Sequence, residues 1–282
     1  MVISCERRPF VVLSHHRCGS NFLVSLLRAH PAITCLTEPL AQHLTIFVER
    51  DLQPWAAKPP RTAATALRYP FATEHLHELQ TWLGNAGPAQ VRGFKETRVA
   101  EKLAWFETHV SPVLPIVLLR DPRAVAASIL AHPELIDYWI PKTQLAHTGI
   151  PGRQVDADDV VARSALIWAH RYSHLADDLT GRAVLVLHLE SLVKDLELNV
   201  ERINAYLSIP HDERQLAARN RTLDGGGTYS TLRRPAEVLR RWRSVLSARD
   251  ERTTLRIAGP VMERLGYAVQ EEASDAAGLM AS

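Results

Sequence analysis

Cysteine is scarce in this chain: Cys5, Cys18 and Cys35 are the only three in 282 residues. A small, odd number argues against a disulfide framework and fits a reducing compartment. Long hydrophobic runs are missing as well, and nothing approaches the roughly 18 consecutive apolar residues of a membrane span. The N-terminus carries Arg7 and Arg8 without the apolar stretch of a secretory leader. Neither sign of charge dominates, with 33 Lys and Arg against 31 Asp and Glu and a net charge of +2. Charges interspersed in this way give no electrostatic footprint for nucleic acid. Internal repeats and low-complexity tracts are absent too. We therefore expect a soluble, cytoplasmic protein with no membrane span and no nucleic-acid partner. At 46% hydrophobic residues the chain has ample material for a core, and its length suits one domain with insertions. That domain is expected over residues 1–268. Residues 269–282, rich in Ala, Glu and Ser without periodicity, are read as a disordered C-terminal tail.

Strand signals alternate with helical ones along the rest of the chain. They predict an α/β fold, a three-layer αβα arrangement with a central, mostly parallel sheet and helical insertions. Apolar runs mark strands at 10–13, 91–95, 114–119 and 183–187, and a short apolar piece at 33–36 leads into Glu38-Pro39. Helices are expected at 19–29, 100–109, 124–130, 192–207, 235–246 and 249–265. His30-Pro31 ends the first of these, because the residue before proline is pushed out of the helical region. Asp158 or Asp159 caps another helix, in which Val161, Ala165, Trp168, Tyr172, Leu175 and Leu179 recur at helical spacing. The proline-rich stretch 51–73 reads as an inserted excursion. Residues 132–156, with Pro133, Pro141, Gly149 and Pro151, read as a substrate lid.

The first strand runs through Ser14-His15-His16-Arg17-Cys18-Gly19-Ser20-Asn21-Phe22 into the first helix. A strand, tight turn and helix in this order present unpaired backbone N–H groups to an anion, here those of Cys18 to Phe22. Aligned on a Walker A loop, Ser14 and Gly19 take the glycine positions. Ser20 then stands where the lysine belongs, and Asn21 where a magnesium-binding hydroxyl belongs. The cation has moved to Arg17. The loop thus suits an anion but lacks the parts that handle an ATP γ-phosphate with Mg²⁺, which points to sulfuryl rather than phosphoryl transfer. Neither His15 nor His16 has a carboxylate or cysteine at ligand spacing, so no metal site is expected. Either histidine would donate to the anion or hold the turn together.

A second basic turn follows the strand at 114–119. Arg120 opens it, and Ser128 lies on the helix beyond. In an open α/β sheet ligands sit at the carboxyl ends of the strands, so both turns project to one edge. They would suit a ligand with two separated anionic groups. The competing reading of Arg120 is an ion pair with Asp121 or Asp137.

These residues resemble a known family. His16-Arg17-Cys18-Gly19-Ser20-Asn21-Phe22-Leu23, then His30-Pro31 and Glu38-Pro39-Leu40, is similar to the opening of carbohydrate sulfotransferases. Leu118-Leu119-Arg120-Asp121-Pro122-Arg123, with Ser128, resembles their second donor motif. Weaker matches at Leu189-Glu190-Ser191-Leu192, 206–210, 242–243 and 265–267 carry the resemblance from about residue 9 to 267. It implies a donor, 3′-phosphoadenosine 5′-phosphosulfate, with 3′-phosphoadenosine 5′-phosphate (PAP) as product and no metal. Arg17, Cys18, Gly19, Ser20, Asn21 and Phe22 would cradle the 5′-phosphosulfate, and Arg120 and Ser128 the 3′-phosphate. Tyr229 and Ser230 would lie in a segment that folds over the nucleotide. The departures are Cys18, Asn21 and the replacement of Tyr-Glu-Asp-Leu by Leu189-Glu190-Ser191-Leu192.

For catalysis, Arg17 would stabilise charge on the leaving phosphate. Some relatives use a histidine as base in a segment that here reads Lys95-Glu96-Thr97, with Thr97 at the histidine's place. The carbohydrate branch carries a glutamate soon after His-Pro, which implies Glu38 as general base, with Glu96 as the alternative. Glu38 has a competing reading too, as a helix-capping or salt-bridged carboxylate. The acceptor would be a hydroxyl of a carbohydrate or small metabolite. Trp55, Trp105, Trp139, Trp168 and Trp242 read as core or lid packing. Two other functions compete: a P-loop small-molecule kinase, and a catalytically inactive sulfotransferase-like protein that holds nucleotide.

Overall fold

Five short runs rich in apolar residues become five strands: β1 (Phe10–Ser14), β2 (Ile33–Thr37), β3 (Val91–Glu96), β4 (Leu114–Leu119) and β5 (Leu185–His188). They form one all-parallel sheet in the order β2-β3-β1-β4-β5. This is a computed structural model, and it describes residues 8–39, 79–85, 87, 90–97, 103, 107, 111–142, 145, 155–220 and 239–267. The 51–73 excursion, most of the expected 100–109 helix, Tyr229, Ser230 and the 269–282 tail lie outside the described residues.

β1 is the central strand and is buried along its whole length, as parallel sheets covered on both faces require. Alternation sends its side chains to opposite layers. Phe10 and Val12 pack with Leu23, Val24, Leu26 and Leu27 of α1 (Ser20–Ala29). Val11 and Leu13 pack on the other face, against Val125 and Ile129 of α2 (Pro122–Leu130). The short helix α3 (Ile136–Trp139) follows α2. Helix α4 (Val160–Leu179) adds Trp168, Ala169 and Tyr172 to the α2 side of the sheet. Helices α5 (Leu189–Lys194) and α6 (Leu196–Tyr206) cover the α1 side. A final helix, α7 (Ala248–Arg264), lies along α4. The result is the expected three-layer αβα fold. Gly93 allows β3 and β1 to approach closely, since a Cβ there would stand 2.5 Å from the Phe10 ring.

The connection leaving β1 travels over β3 to β2, whereas the chain leaving β3 returns past β1 to β4. The chain therefore moves to opposite sides from neighbouring strands. The crevice at their carboxyl ends is where open α/β sheets take ligands.

Local signals explain several boundaries. His30 closes α1 with an extended ψ of 126°, as the residue before Pro31 must. Asp159 caps α4 by accepting from the N–H of Ala162 at 2.9 Å. Asp121 caps α2 by accepting from the N–H of Arg123 at 2.8 Å, with Pro122 in the first turn. The helix expected over 192–207 instead starts at Leu189 and breaks at Asp195, whose φ of −118° is non-helical. Its N–H closes α5 on Ser191, and its carbonyl opens α6 by accepting from the Asn199 backbone and side chain. Of the helix expected over 235–246, the described part ends in a 3-10 turn, Arg241–Ser244. The expected lid begins as ordered structure, a 3-10 turn at Pro133–Leu135 and then α3.

Candidate active site

The turn between β1 and α1 is built on two left-handed residues. Gly19, the N-cap of α1, has φ 85°, and an added Cβ would lie 2.7 Å from Cδ1 of Leu189. Conformation and close packing both call for glycine there. Arg17 has φ 65°, a region that disfavours side chains. No side chain caps α1. The amides of Gly19, Ser20 and Asn21 find no acceptor among the described residues. Phe22 donates its N–H to the Gly19 carbonyl at 3.0 Å, and Cys18 donates to the His15 carbonyl at 3.4 Å. Of the amides expected to cradle an anion, Cys18–Phe22, the three of Gly19, Ser20 and Asn21 are the ones with no acceptor among the described residues.

His15 is fully buried, with Nδ1 donating to the His16 carbonyl at 2.8 Å. Burial, helped by the charge of Arg171, lowers its pKa to about 3, so the ring is neutral. Its place is structural. The ring of His16 lies 6.1 Å from that of Tyr138. Burial likewise pushes the Cys18 thiol up to about 11, which leaves it a small, unreactive packing group.

The second turn meets the first directly. Arg120 donates from Nη1 to the backbone carbonyl of Arg17 at 2.7 Å. The Arg17 guanidinium donates from Nε to Ser128 Oγ at 3.0 Å and stacks 4.6 Å over the Trp139 ring. Arg17 therefore shares one site with Arg120 and Ser128, both more than a hundred residues later in the chain. Burial pulls the Arg120 pKa down, opposed by the nearby charges of Glu190 and Asp121 among others. The acidic partners of the competing ion-pair reading are engaged elsewhere: Asp121 by Arg123 in a two-pronged contact, and Asp137 by Arg163 at 3.0 Å. Glu190 supports the turn by accepting the Asp121 N–H at 2.9 Å. Burial raises its pKa.

Glu38 stands just past the end of β2 with φ 48°. Its Oε1 accepts from Lys95 Nζ at 2.6 Å and Thr97 Oγ1 at 2.8 Å, and its N–H donates to the Lys95 carbonyl at 2.7 Å. Lys95 and Thr97 reach the same carboxylate because alternate residues of a strand share a face. Glu96 falls on the other face and is fully buried, whereas the Glu38 side chain is 24% exposed. Among the described residues, three non-glycines have positive φ, and two of them are Arg17 and Glu38. Strained backbone of this kind concentrates at functional sites. No group of three or more His, Cys, Asp or Glu among the described residues could hold a metal ion. No described helix is long and apolar enough to cross a membrane.

From sequence, Trp168 reads as core or lid packing, Tyr172 as part of the helical stripe, and nothing singles out Arg171. Each carries a polar end that meets the main chain of one of these turns. Tyr172 Oη accepts the His15 N–H at 2.8 Å and donates to the Leu118 carbonyl at 2.8 Å. Trp168 Nε1 donates to the Arg120 carbonyl at 3.1 Å, and Arg171 Nη1 to the Thr97 carbonyl at 3.0 Å. Aromatics with a polar handle at helical spacing were the available signal.

No protein-family model and no curated protein sequence matches the chain. Solved structures do. The sulfotransferase domain of the olefin synthase from Synechococcus PCC 7002 matches with a TM-score of 0.60 at 19% identity, over 94% of this chain and 98% of that one. The sulfotransferase domain from the curacin biosynthetic pathway matches with 0.60 at 14% identity, over 93% and 99%. Mouse sulfotransferase SULT7A1, complexed with PAP, matches with 0.55 at 12% identity, over 91% and 84%. The chain has the sulfotransferase fold.

Proposed function

We propose that this protein is a sulfotransferase that moves a sulfuryl group from 3′-phosphoadenosine 5′-phosphosulfate to a hydroxyl of a carbohydrate or small metabolite. The observation that carries this reading is the meeting of Arg17, Arg120 and Ser128 at the carboxyl ends of β1 and β4. The fold it shares with sulfotransferases, one of them complexed with PAP, supports it. The residues present suit such a ligand: three amides with no acceptor among the described residues, and two guanidinium groups, offer complementary donors to a bis-anionic nucleotide. When bound, that donor would supply a sulfuryl group on a phosphate leaving group.

The chain's own residues divide the work. The amides of Gly19, Ser20 and Asn21, within the Cys18–Phe22 turn, hold the 5′ end, and Arg17 stabilises charge gathering on the leaving oxygen. Arg120 and Ser128 hold the 3′-phosphate, with Tyr229 and Ser230 completing the nucleotide site. Glu38 accepts the proton of the acceptor hydroxyl, while Lys95 and Thr97 fix its carboxylate through Oε1. Transfer of labelled sulfuryl from the donor to compounds of a cell extract, assayed with EDTA present, tests the reading. Labelled product in EDTA supports it; no sulfuryl transfer, with EDTA-sensitive phosphoryl transfer from labelled ATP and Mg²⁺, would favour a kinase. Tight binding of PAP without any transfer would favour a nucleotide-holding protein.

A further inference from the structure

We infer that helix α4 is the positioning element of the site: Trp168 and Tyr172 set the donor-binding turns, and Arg171 sets the turn that holds the base. This rests on the sulfotransferase reading. The three residues stand three and four positions apart, so they project from one face of the helix. That face lies beneath the carboxyl ends of β1, β4 and β3. Each residue ends in a polar group that meets the main chain of a different turn. Trp168 reaches the carbonyl of Arg120. Tyr172 joins the His15 amide to the Leu118 carbonyl and so couples the Arg17 turn to the end of β4. Its hydroxyl also lies 3.4 Å from Cys18 Sγ. Arg171 reaches the carbonyl of Thr97, whose hydroxyl holds Glu38.

Fully buried side chains need only fill space to stabilise a core. Trp168, Arg171 and Tyr172 are buried, yet all three place a donor on a main-chain carbonyl that helps shape the site. Burial makes the bonds to Thr97 and Leu118 costly to lose, because those abandoned carbonyls cannot turn to water; the bond to the Arg120 carbonyl is partly buried. Trp168 and Tyr172 further brace each other, with ring centroids 4.8 Å apart. The packing stripe of α4 and the wiring of the site are the same residues.

The test separates positioning from packing by asking which step each residue serves. Trp168→Phe and Tyr172→Phe keep most of the packing volume; the first removes one donor, the second a donor and the acceptor of the His15 N–H. Each is expected to weaken PAP binding in calorimetry by about tenfold, the usual worth of a buried hydrogen bond, with a smaller effect on kcat. Arg171→Met is expected to lower kcat by about tenfold or more with PAP affinity within about twofold. Hydrogen exchange on the ligand-free proteins gives a second readout: faster exchange at the His15 amide in Tyr172→Phe, at Asp121 in Trp168→Phe, and at Glu38 in Arg171→Met. If Arg171→Met does not fold, Arg171→Lys keeps the charge without the planar fork and reads the same effects. Equal losses of stability in all three variants, with no split between PAP affinity and kcat and no local change in exchange, would overturn the inference. If the unaltered protein bound no PAP and transferred no sulfuryl group, the proposed function would fail. The exchange pattern would still decide the role of α4.

Discussion

Arg120 and Arg17 share a hydrogen bond from a guanidinium Nη1 to a main-chain carbonyl, 2.7 Å long, that ties the turn after β4 to the turn after β1. The accepting residue is itself held at a φ of 65°. A single cation thus reinforces a backbone shape that the chain would otherwise leave, since left-handed non-glycine residues cost roughly 1–2 kcal/mol. Ser128 does the reciprocal work on the Arg17 side chain, at 3.0 Å. The two turns behave as one unit, and changes in either should be felt in both.

Gly19→Ala should be destabilising and should damage donor binding together. The left-handed conformation costs about 1–2 kcal/mol for alanine, and the new Cβ would meet Leu189 at 2.7 Å unless that side chain moves. Urea unfolding should show a lower midpoint with an unchanged slope, and PAP affinity should drop by about tenfold or more. Wild-type values for both would mean that the turn does not depend on glycine.

Glu38→Gln should lower kcat by about a hundredfold or more, the usual worth of a positioned general base. PAP affinity should stay unchanged, because Glu38 lies past β2 and the two turns proposed to bind the donor follow β1 and β4. Steady-state kinetics with calorimetry on the same preparation checks this. Unaltered turnover would remove Glu38 from the role and leave the fully buried Glu96 as the alternative.

The fold was legible because its signals are local. β1, the Arg17 turn and α1 are contiguous, and proline, aspartate and the helical stripe of α4 mark boundaries within a few residues. Both basic turns could be placed at one sheet edge from topology alone. What could not be read is which side chain answers which. The sequence places Ser128 beside Arg120 in the second motif but gives no sign that it also bonds Arg17, more than a hundred residues earlier. The contact depends on β1 and β4 being neighbours, which no local pattern encodes. Tyr172 and Trp168 read as core because their volume is apolar and periodic; their hydroxyl and indole N–H matter only once the strand ends are in place. The break at Asp195 was hidden because apolar periodicity continues across it.

Acid should weaken the fold through His15. The buried ring is neutral, with its pKa lowered from 6.5 to about 3. Between those values the unfolded chain binds a proton that the folded one does not. The stability present above pH 6.5 is therefore lost as pH falls toward 3, by up to about 1.4 kcal/mol per pH unit. His15→Gln should flatten that slope in urea unfolding measured from pH 7 downward. An identical slope in the variant would show that other groups govern it.

Titration calorimetry of PAP against AMP, on the wild type and Arg120→Ala, tests the central claim most directly, since AMP lacks only the 3′-phosphate. If the two turns grip opposite ends of one nucleotide, the wild type should prefer PAP by about tenfold or more, as charge-assisted phosphate contacts do. Arg120→Ala should erase most of that preference. Equal affinity of the wild type for PAP and AMP, or a preference that survives in Arg120→Ala, would contradict the account.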